Sequence, residues 1–315
     1  MPDSKSFLPT TDDMRTTDDV RRLLDDPLSA SSMLRSWGLE DARGAHANLV
    51  AIARHGVTLD LLARLMDQLD DELPKLSDPP MALNNLERFF GACRSPLAFA
   101  ALLDRDRTAL PILLRIFSTS QHLSDLLVRE PEGYDLLRLT SGAPVARESL
   151  IADIVSEVSR LGDERRVAAA LRRFKHRETL RIAYGDLVGG QRLDIVTRQI
   201  SHLADAVVNA AVAWSIEHRS ERFGRPLRPD GRPARYAVLG LGKLGGIELN
   251  YSSDIDLIPF YDQDGMTSGP RSVSNREFFS RVTSDLVRLL GEVTELGHAY
   301  RVDLRLRQIG RTSCR

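Results

Sequence analysis

The sequence predicts an α+β fold, a helical N-terminal region followed by a mixed sheet with helices. Three observations carry this. Apolar residues recur at three- and four-residue spacing from about residue 17 to 218, the signature of amphipathic helices. A Pro-, Gly- and Arg-rich stretch then interrupts the pattern. Beyond it come short β-branched and aromatic runs that read as strands.

Taken in order, residues 1–16 are polar and Asp-rich with little to bury, and they are expected to form a disordered tail. Thr58 is placed to cap a helix carrying Leu59, Leu62, Leu65, Met66 and Leu69. Pro74 and the pair Pro79-Pro80 break the chain, and Leu83, Leu86, Phe89 and Phe90 form the next stripe. Ser95 followed by Pro96 reads as an N-cap with Pro at the first helical position. Further stripes cover Leu110–Phe117, Leu123–Val128, Leu150–Val158 and about Arg192 to His218, which completes a helical region at 17–218. Residues 219–235 hold three Pro, two Gly and six Arg and read as a solvated linker or loop. The remainder, 236–315, is read as the sheet-bearing core. It has a buried strand at YAVLGLG, a second at DLIPFY and an amphipathic helix from Arg276 to Leu296. A third, alternating strand follows at YRVDLRL. Pro259 brings no ladder donor, so the second strand either ends there or leaves that edge unpaired.

Composition bounds the function. The 315 residues are 42% apolar and 28% charged, enough for a sizeable core, and only 6% aromatic. A net charge of −1 gives no basic surplus for bulk nucleic-acid binding. No apolar run reaches the ~18 residues of a membrane span, and the N-terminus lacks a secretory pattern. Cys93 and Cys314 make neither a disulfide framework nor a zinc site. A soluble protein of the reducing cytoplasm, without nucleic-acid or membrane partners, is the simplest expectation.

The chemistry concentrates in Leu239–Asp262, LGLGKLGGIELNYSSDIDLIPFYD. Asp254 and Asp256 are two apart, so on a strand both carboxylates leave one face. Two acids on one face repel unless a cation lies between them, and hard divalent ions take such oxygen ligands. Upstream, Gly245 and Gly246 allow close backbone approach to a phosphate, and Lys243 supplies a point charge. A glycine turn beside an acidic pair is what metal-assisted phosphoryl or nucleotidyl transfer requires. Asp303 is the candidate third acid, with Arg305 and Arg307 on the same strand face; on spacing alone a strand salt bridge accounts for it equally well. Gly240 to Gly245 also satisfies G-x-G-x-x-G with Asp262 downstream, the dinucleotide fingerprint. Only Ile247 to Ser253 separates the glycines from the acidic strand, too little for the ~10–12 residues of a crossover helix. A structural glycine turn with two solvated acids is the plain alternative.

The motif GLGKLGGIELNYSSDIDLI at 240–258 resembles the signature of the glutamine synthetase adenylyltransferase / adenylyl-removing family. VDLRLR at 302–307, LRRFKHRETLRIAYGDL at 171–187 and the stretch 101–137 extend the resemblance over roughly residues 80–307. It implies a polymerase-β-type nucleotidyltransferase unit, with Gly245 and Gly246 as phosphate turn and Asp254, Asp256 and Asp303 as Mg²⁺ (or Mn²⁺) ligands. Lys243, Ser253, Arg305 and Arg307 are placed on the nucleotide side. The implied substrates and products are ATP, ADP and phosphate. The implied partners are glutamine synthetase, modified on a tyrosine, and a PII signal protein. A helical region ahead of a single motif resembles the N-terminal, adenylyl-removing unit.

Two departures stand out. Pro259 follows Ile258 where the family continues D-L-I-F, and Gln308-Ile309-Gly310-Arg311 replaces R-L-R-P-x-G. The expectation is a core incomplete at its C-terminus, and an inactive remnant that binds glutamine synthetase or a PII protein is the alternative. Arg172, Arg173, Lys175, Arg177 and Arg181 make one helix basic, read first as a solvated face and second as a phosphate or protein contact. Trp37 and Trp214 are expected to pack.

Overall fold

The computed structural model describes residues 15–304 and the short strand Gly310–Arg311. The architecture is α+β. The chain divides into two compact units, Met1–Leu139 and Thr140–Arg315. The division falls inside the stretch expected as one helical region, because stripe periodicity shows that helices form but not which ones pack together.

The first unit is helical: α1 (Thr17–Asp25), α2 (Pro27–Ser36), α3 (Ala42–Arg54), α4 (Leu59–Glu72), α5 (Pro79–Ala92), α6 (Pro96–Arg105), α7 (Ala109–Thr119), α8 (Gln121–Arg129) and α9 (Gly133–Thr140). Caps set several of the starts. Ser95 accepts from Ala98 N–H with Pro96 behind it, and Asp78 accepts from Met81 N–H ahead of Pro79. Thr58 takes the N-cap backbone conformation without the side-chain bond. Residues Arg15 and Thr16, assigned to the tail by sequence, are ordered. Thr16 builds a capping box with Asp19, and Arg15 pairs with Asp67 at 2.7 Å. The core is aromatic, with Phe89 5.0 Å from Phe99 and 5.7 Å from Phe117 between ring centroids. Trp37 packs as expected, 1% exposed.

The second unit opens with α10 (Arg147–Val158), α11 (Glu164–Leu187) and α12 (Leu193–Phe223). It continues through β1 (Tyr236–Leu241), the short helix α13 (Gly242–Gly245), β2 (Ile255–Tyr261), α14 (Asn275–Gly291), β3 (Val302–Asp303) and β4 (Gly310–Arg311). Residues 219–223, expected in the linker, complete α12. Arg219 is not solvated there: it meets Asp285 of α14 through two bonds of 2.6 Å, and Asp285 is 1% exposed. Helix α12 ends at Gly224, whose φ of +78° and tight approach to Gly269 admit no side chain.

The sheet is mixed. β1 runs antiparallel to β2, from Tyr236 opposite Tyr261 to Leu241 opposite Asp256. β3 and β4 both run parallel to β2, with Asp256 beside Asp303 and Phe260 beside Gly310. Antiparallel β1–β2 pairing removes the dinucleotide reading, which needs a parallel pair around a crossover helix. β2 continues through Pro259, and the described pairings with β3 and β4 lie on either side of that residue.

Alternation decides the faces. Ile255, Leu257, Pro259 and Tyr261 are buried, while Asp256, Ile258 and Phe260 lie on the more open face. The buried face joins a core built from α10, α11, α12 and α14. Burying an Ile or Leu there contributes on the order of 1.5–3 kcal/mol. β1, expected to be buried, is not: Leu239 is 53% and Leu241 42% exposed. A run of apolar letters cannot distinguish a strand covered on both faces from one covered on a single face. Among the described residues no helix is long and apolar enough to cross a membrane.

Candidate active site

The sheet register assembles the acids. Asp256 and Asp303 are Cα partners on parallel strands, so their side chains leave the same face. Asp254 lies one step before β2 and two residues before Asp256, which places it on that face as well. Its carboxylate is engaged: Arg301 Nε donates to Asp254 Oδ1 at 2.6 Å. The acids therefore occupy adjoining rows of the register. Among the described residues no three His, Cys, Asp or Glu side chains stand grouped as they would around a metal ion. The sequence motif did not expose Arg301, because its meeting with Asp254 depends on the β2–β3 pairing.

The glycine turn is closely packed against these strands. Gly242 has φ +53°, and a Cβ built on it would lie 2.8 Å from Asp256 Oδ2. Here glycine serves two needs, a left-handed backbone and room for a carboxylate. A Cβ on Gly245 would lie 2.6 Å from the Gly240 carbonyl oxygen, so Gly245 is required by the packing of α13 on β1. Gly246 N–H donates to the Gly242 carbonyl at 3.0 Å, and Glu248 N–H to the Lys243 carbonyl at 2.9 Å. These two N–H groups close the turn upon itself instead of facing outward for a phosphate. Ile247 follows with φ +58° and 51% exposure, an uncommon conformation for a β-branched residue.

The other candidates separate. Lys243 is exposed beside Gly242. Ser253 belongs to a local turn, its hydroxyl donating to Asn250 and accepting from Asn250 N–H. Arg305 and Arg307 lie outside the described residues.

Helix α11 supports the site from behind. Arg172 is fully buried and donates to the carbonyls of Gly297 (2.7 Å), Leu289 (3.1 Å) and Glu292, the end of α14 and the turn after it. Lys175 Nζ donates to the Ala299 carbonyl at 2.5 Å and lies 4.3 Å from the centroid of the Tyr300 ring. Loss of water around Lys175, with the charge of Arg172 adding to it, pushes its pKa down to about 8. Arg181 is 2% exposed and bonds Glu178 at 2.6 Å, Gln199 at 3.0 Å and the Ala143 carbonyl. Neither reading of the basic helix holds for Arg172 and Lys175, which satisfy carbonyls at the end of α14 and in the turn that leads to β3. Arg181 makes the local pair with Glu178 but is buried rather than solvated, and Arg173 alone among the five is exposed. The loop between the motif halves is tied down likewise. Leu249 N–H donates to Ser201 Oγ at 3.1 Å, and Tyr251 Oη to Asp186 at 3.1 Å. Burial and the neighbouring Asp186 raise the Tyr251 pKa well above its usual value.

A family model described as glutamate-ammonia ligase adenylyltransferase matches residues 110–314. The chain belongs to this family. Similar relatives include the bifunctional glutamine synthetase adenylyltransferase/adenylyl-removing enzyme of Shewanella loihica, 39% identical over 199 residues, which cover 63% of this chain and 21% of the relative. The protein of the same name from Pseudomonas aeruginosa is 38% identical over 251 residues, 76% of this chain and 25% of the relative. That from Nitrosococcus oceani is 42% identical over 162 residues, 51% of this chain and 17% of the relative. The matched part of the chain thus spans about a sixth to a quarter of the length of these curated relatives.

Proposed function

We propose that this chain moves an adenylyl group on a tyrosine of glutamine synthetase, with removal by phosphorolysis as the favoured direction. The observation that carries the reading is the pairing of Asp256 with Asp303, with Gly242 packed directly against Asp256. The donor set suits Mg²⁺ or Mn²⁺: carboxylate oxygens from Asp256 and Asp303, joined by Asp254 once it leaves Arg301. That exchange costs little, because the Asp254–Arg301 pair is exposed and such pairs contribute ~0–1 kcal/mol. When bound, the metal supplies charge at the phosphoryl oxygens and at the leaving oxygen.

The residues of the chain hold the reactants in line. A phosphate oxygen forms the new bond to the α-phosphorus, the bond from phosphorus to the tyrosyl oxygen breaks, and the tyrosyl oxygen takes a proton. The products are ADP and the free tyrosine. Lys243, Arg305 and Arg307 are the cations we assign to the phosphates, and Ser253 shapes the turn before the acids. For attachment, the tyrosyl oxygen gives up its proton and bonds to the α-phosphorus of ATP, the bond to the β-phosphoryl oxygen breaks, and pyrophosphate leaves. Control by a PII protein, a part in regulating nitrogen assimilation and a cytoplasmic location belong to this reading.

The test is release of ADP from adenylylated glutamine synthetase, phosphate and Mg²⁺ by the purified chain. ADP formation that stops with a chelator supports the proposal. A second reading, a non-catalytic partner of glutamine synthetase or PII, is favoured by one observation: Asp254 is held by Arg301 rather than gathered with the other acids. Binding of glutamine synthetase with neither ADP released from its adenylylated form and phosphate nor pyrophosphate released from ATP selects that reading.

A further inference from the structure

Arg301 stands immediately before β3, and its encounter with Asp254 is fixed by backbone. Ile255 N–H donates to the Arg301 carbonyl at 3.0 Å, one row ahead of the pairs Ile255–Val302 and Asp256–Asp303. Each acid of the D-x-D motif therefore has its own neighbour on the adjoining strand segment: Asp303 for Asp256 and Arg301 for Asp254. The guanidinium reaches Asp254 Oδ1 at 2.6 Å, yet the side chains remain 68% and 52% exposed. A pair this open contributes little to holding the fold. What it does is neutralise one of the clustered acids, the same service that a bound divalent ion performs.

We propose that Arg301 is a resident counter-cation of the acidic site, competing with the divalent metal for Asp254. The inference rests on the reading of Asp254 as a metal ligand. For Asp254 to take a metal, the guanidinium must release Oδ1, so the affinity for metal is lower than the carboxylates alone would give. Removing the positive charge therefore raises affinity. If Arg301 merely braced β3, its loss would let Asp303 drift and weaken metal binding. The two roles give opposite signs.

The experiment is a Mn²⁺ titration of the full chain, followed by electron paramagnetic resonance without nucleotide or protein substrate. Arg301→Gln is expected to bind Mn²⁺ about two- to fivefold more tightly than the parent chain, the range set by an exposed ion pair. Arg301→Lys, which keeps the charge, stays near the parent. In an Asp254→Asn background the Arg301→Gln change has no further effect, because the competed ligand is gone. If Asp254→Asn weakens Mn²⁺ binding but Arg301→Gln leaves it unchanged or weaker, the counter-cation role is overturned and the metal reading stands. If Asp254→Asn leaves Mn²⁺ binding unchanged, the metal reading itself falls, and this inference with it.

Discussion

Asp303 on β3 is the direct register partner of Asp256 on β2, so two carboxylates leave one face of the sheet side by side. Like charges placed opposite each other on a sheet work against the fold by a few tenths of a kcal/mol to ~1 kcal/mol. Asp303→Asn should therefore leave stability unchanged or raise it slightly, within about 1 kcal/mol, in urea denaturation. Phosphorolysis should drop by about 10²-fold or more, on the scale of losing one strong electrostatic contact to a transition state. A variant that loses stability and keeps its rate would mark Asp303 as a structural acid.

Gly242 and Gly246 should respond differently to alanine, although the sequence makes them look alike. At Gly242 the backbone is left-handed, φ +53°, and the new methyl would meet Asp256 Oδ2 at 2.8 Å. The conformational cost alone is ~1–2 kcal/mol. Gly242→Ala should lower stability by about that amount and weaken Mn²⁺ binding, because Asp256 must move. Gly246 has an ordinary φ of −80°, and its added methyl would meet only the flexible side chain of Glu248, at 3.3 Å. Gly246→Ala should be nearly neutral in both measurements. Loss of nucleotide binding in Gly246→Ala would restore the phosphate-turn role that the family resemblance implies for it.

The pair Arg219–Asp285 offers a prediction about the fold alone. Asp285 is buried and receives both guanidinium bonds of Arg219, with Arg288 as a third donor at 2.9 Å. Arg219→Met leaves a buried carboxylate short of two bonds, a loss on the order of 3 kcal/mol. Arg288→Met removes a cation that is 49% exposed and should cost no more than about 1 kcal/mol. Urea midpoints at constant slope would separate the two.

What the sequence made legible follows from the range over which each signal acts. Helical stripes and the Ser95-Pro96 start are local, and they appear where expected. The D-x-D pair is local too, so the shared face of Asp254 and Asp256 follows from strand alternation. The neighbours of those acids are not local. Arg301 lies 47 positions from Asp254 and meets it only through the parallel pairing of β2 with β3. The same holds for Arg172, whose carbonyl partner Gly297 is 125 residues away. A basic helix written in letters does not say whether its guanidinium groups face water or the carbonyl ends of a distant turn. Gly245 and Gly246 look equivalent as letters, which carry no contacts; in the fold one is wedged against the Gly240 carbonyl and the other is not.

Lys175 provides a pH dependence whose sign can be derived. Desolvation lowers its pKa from the ordinary 10.5 to about 8 in the folded chain. Between those values the unfolded chain holds a proton that the folded chain has released, so stability rises with pH across the window. Below about 8 both states are protonated and the full cost of burying the ammonium is present; above 10.5 that cost has vanished. The neutral amine keeps an N–H for the Ala299 carbonyl, so its bond to the turn before β3 survives deprotonation. The neighbouring groups do not mask the effect. The His298 pKa is lowered below its ordinary 6.5 by burial and nearby cations, outside the window; burial pushes the folded Tyr300 hydroxyl well above its ordinary 10.0, and its titration in the unfolded chain is common to parent and variant and cancels in their difference. Lys175→Met has no ammonium to release. The stability of the parent relative to this variant should therefore climb as pH is raised from below the window to its upper end, measured by urea denaturation at three pH values. A flat difference would mean that Lys175 keeps an ordinary pKa, and that water reaches its amine behind Ala299.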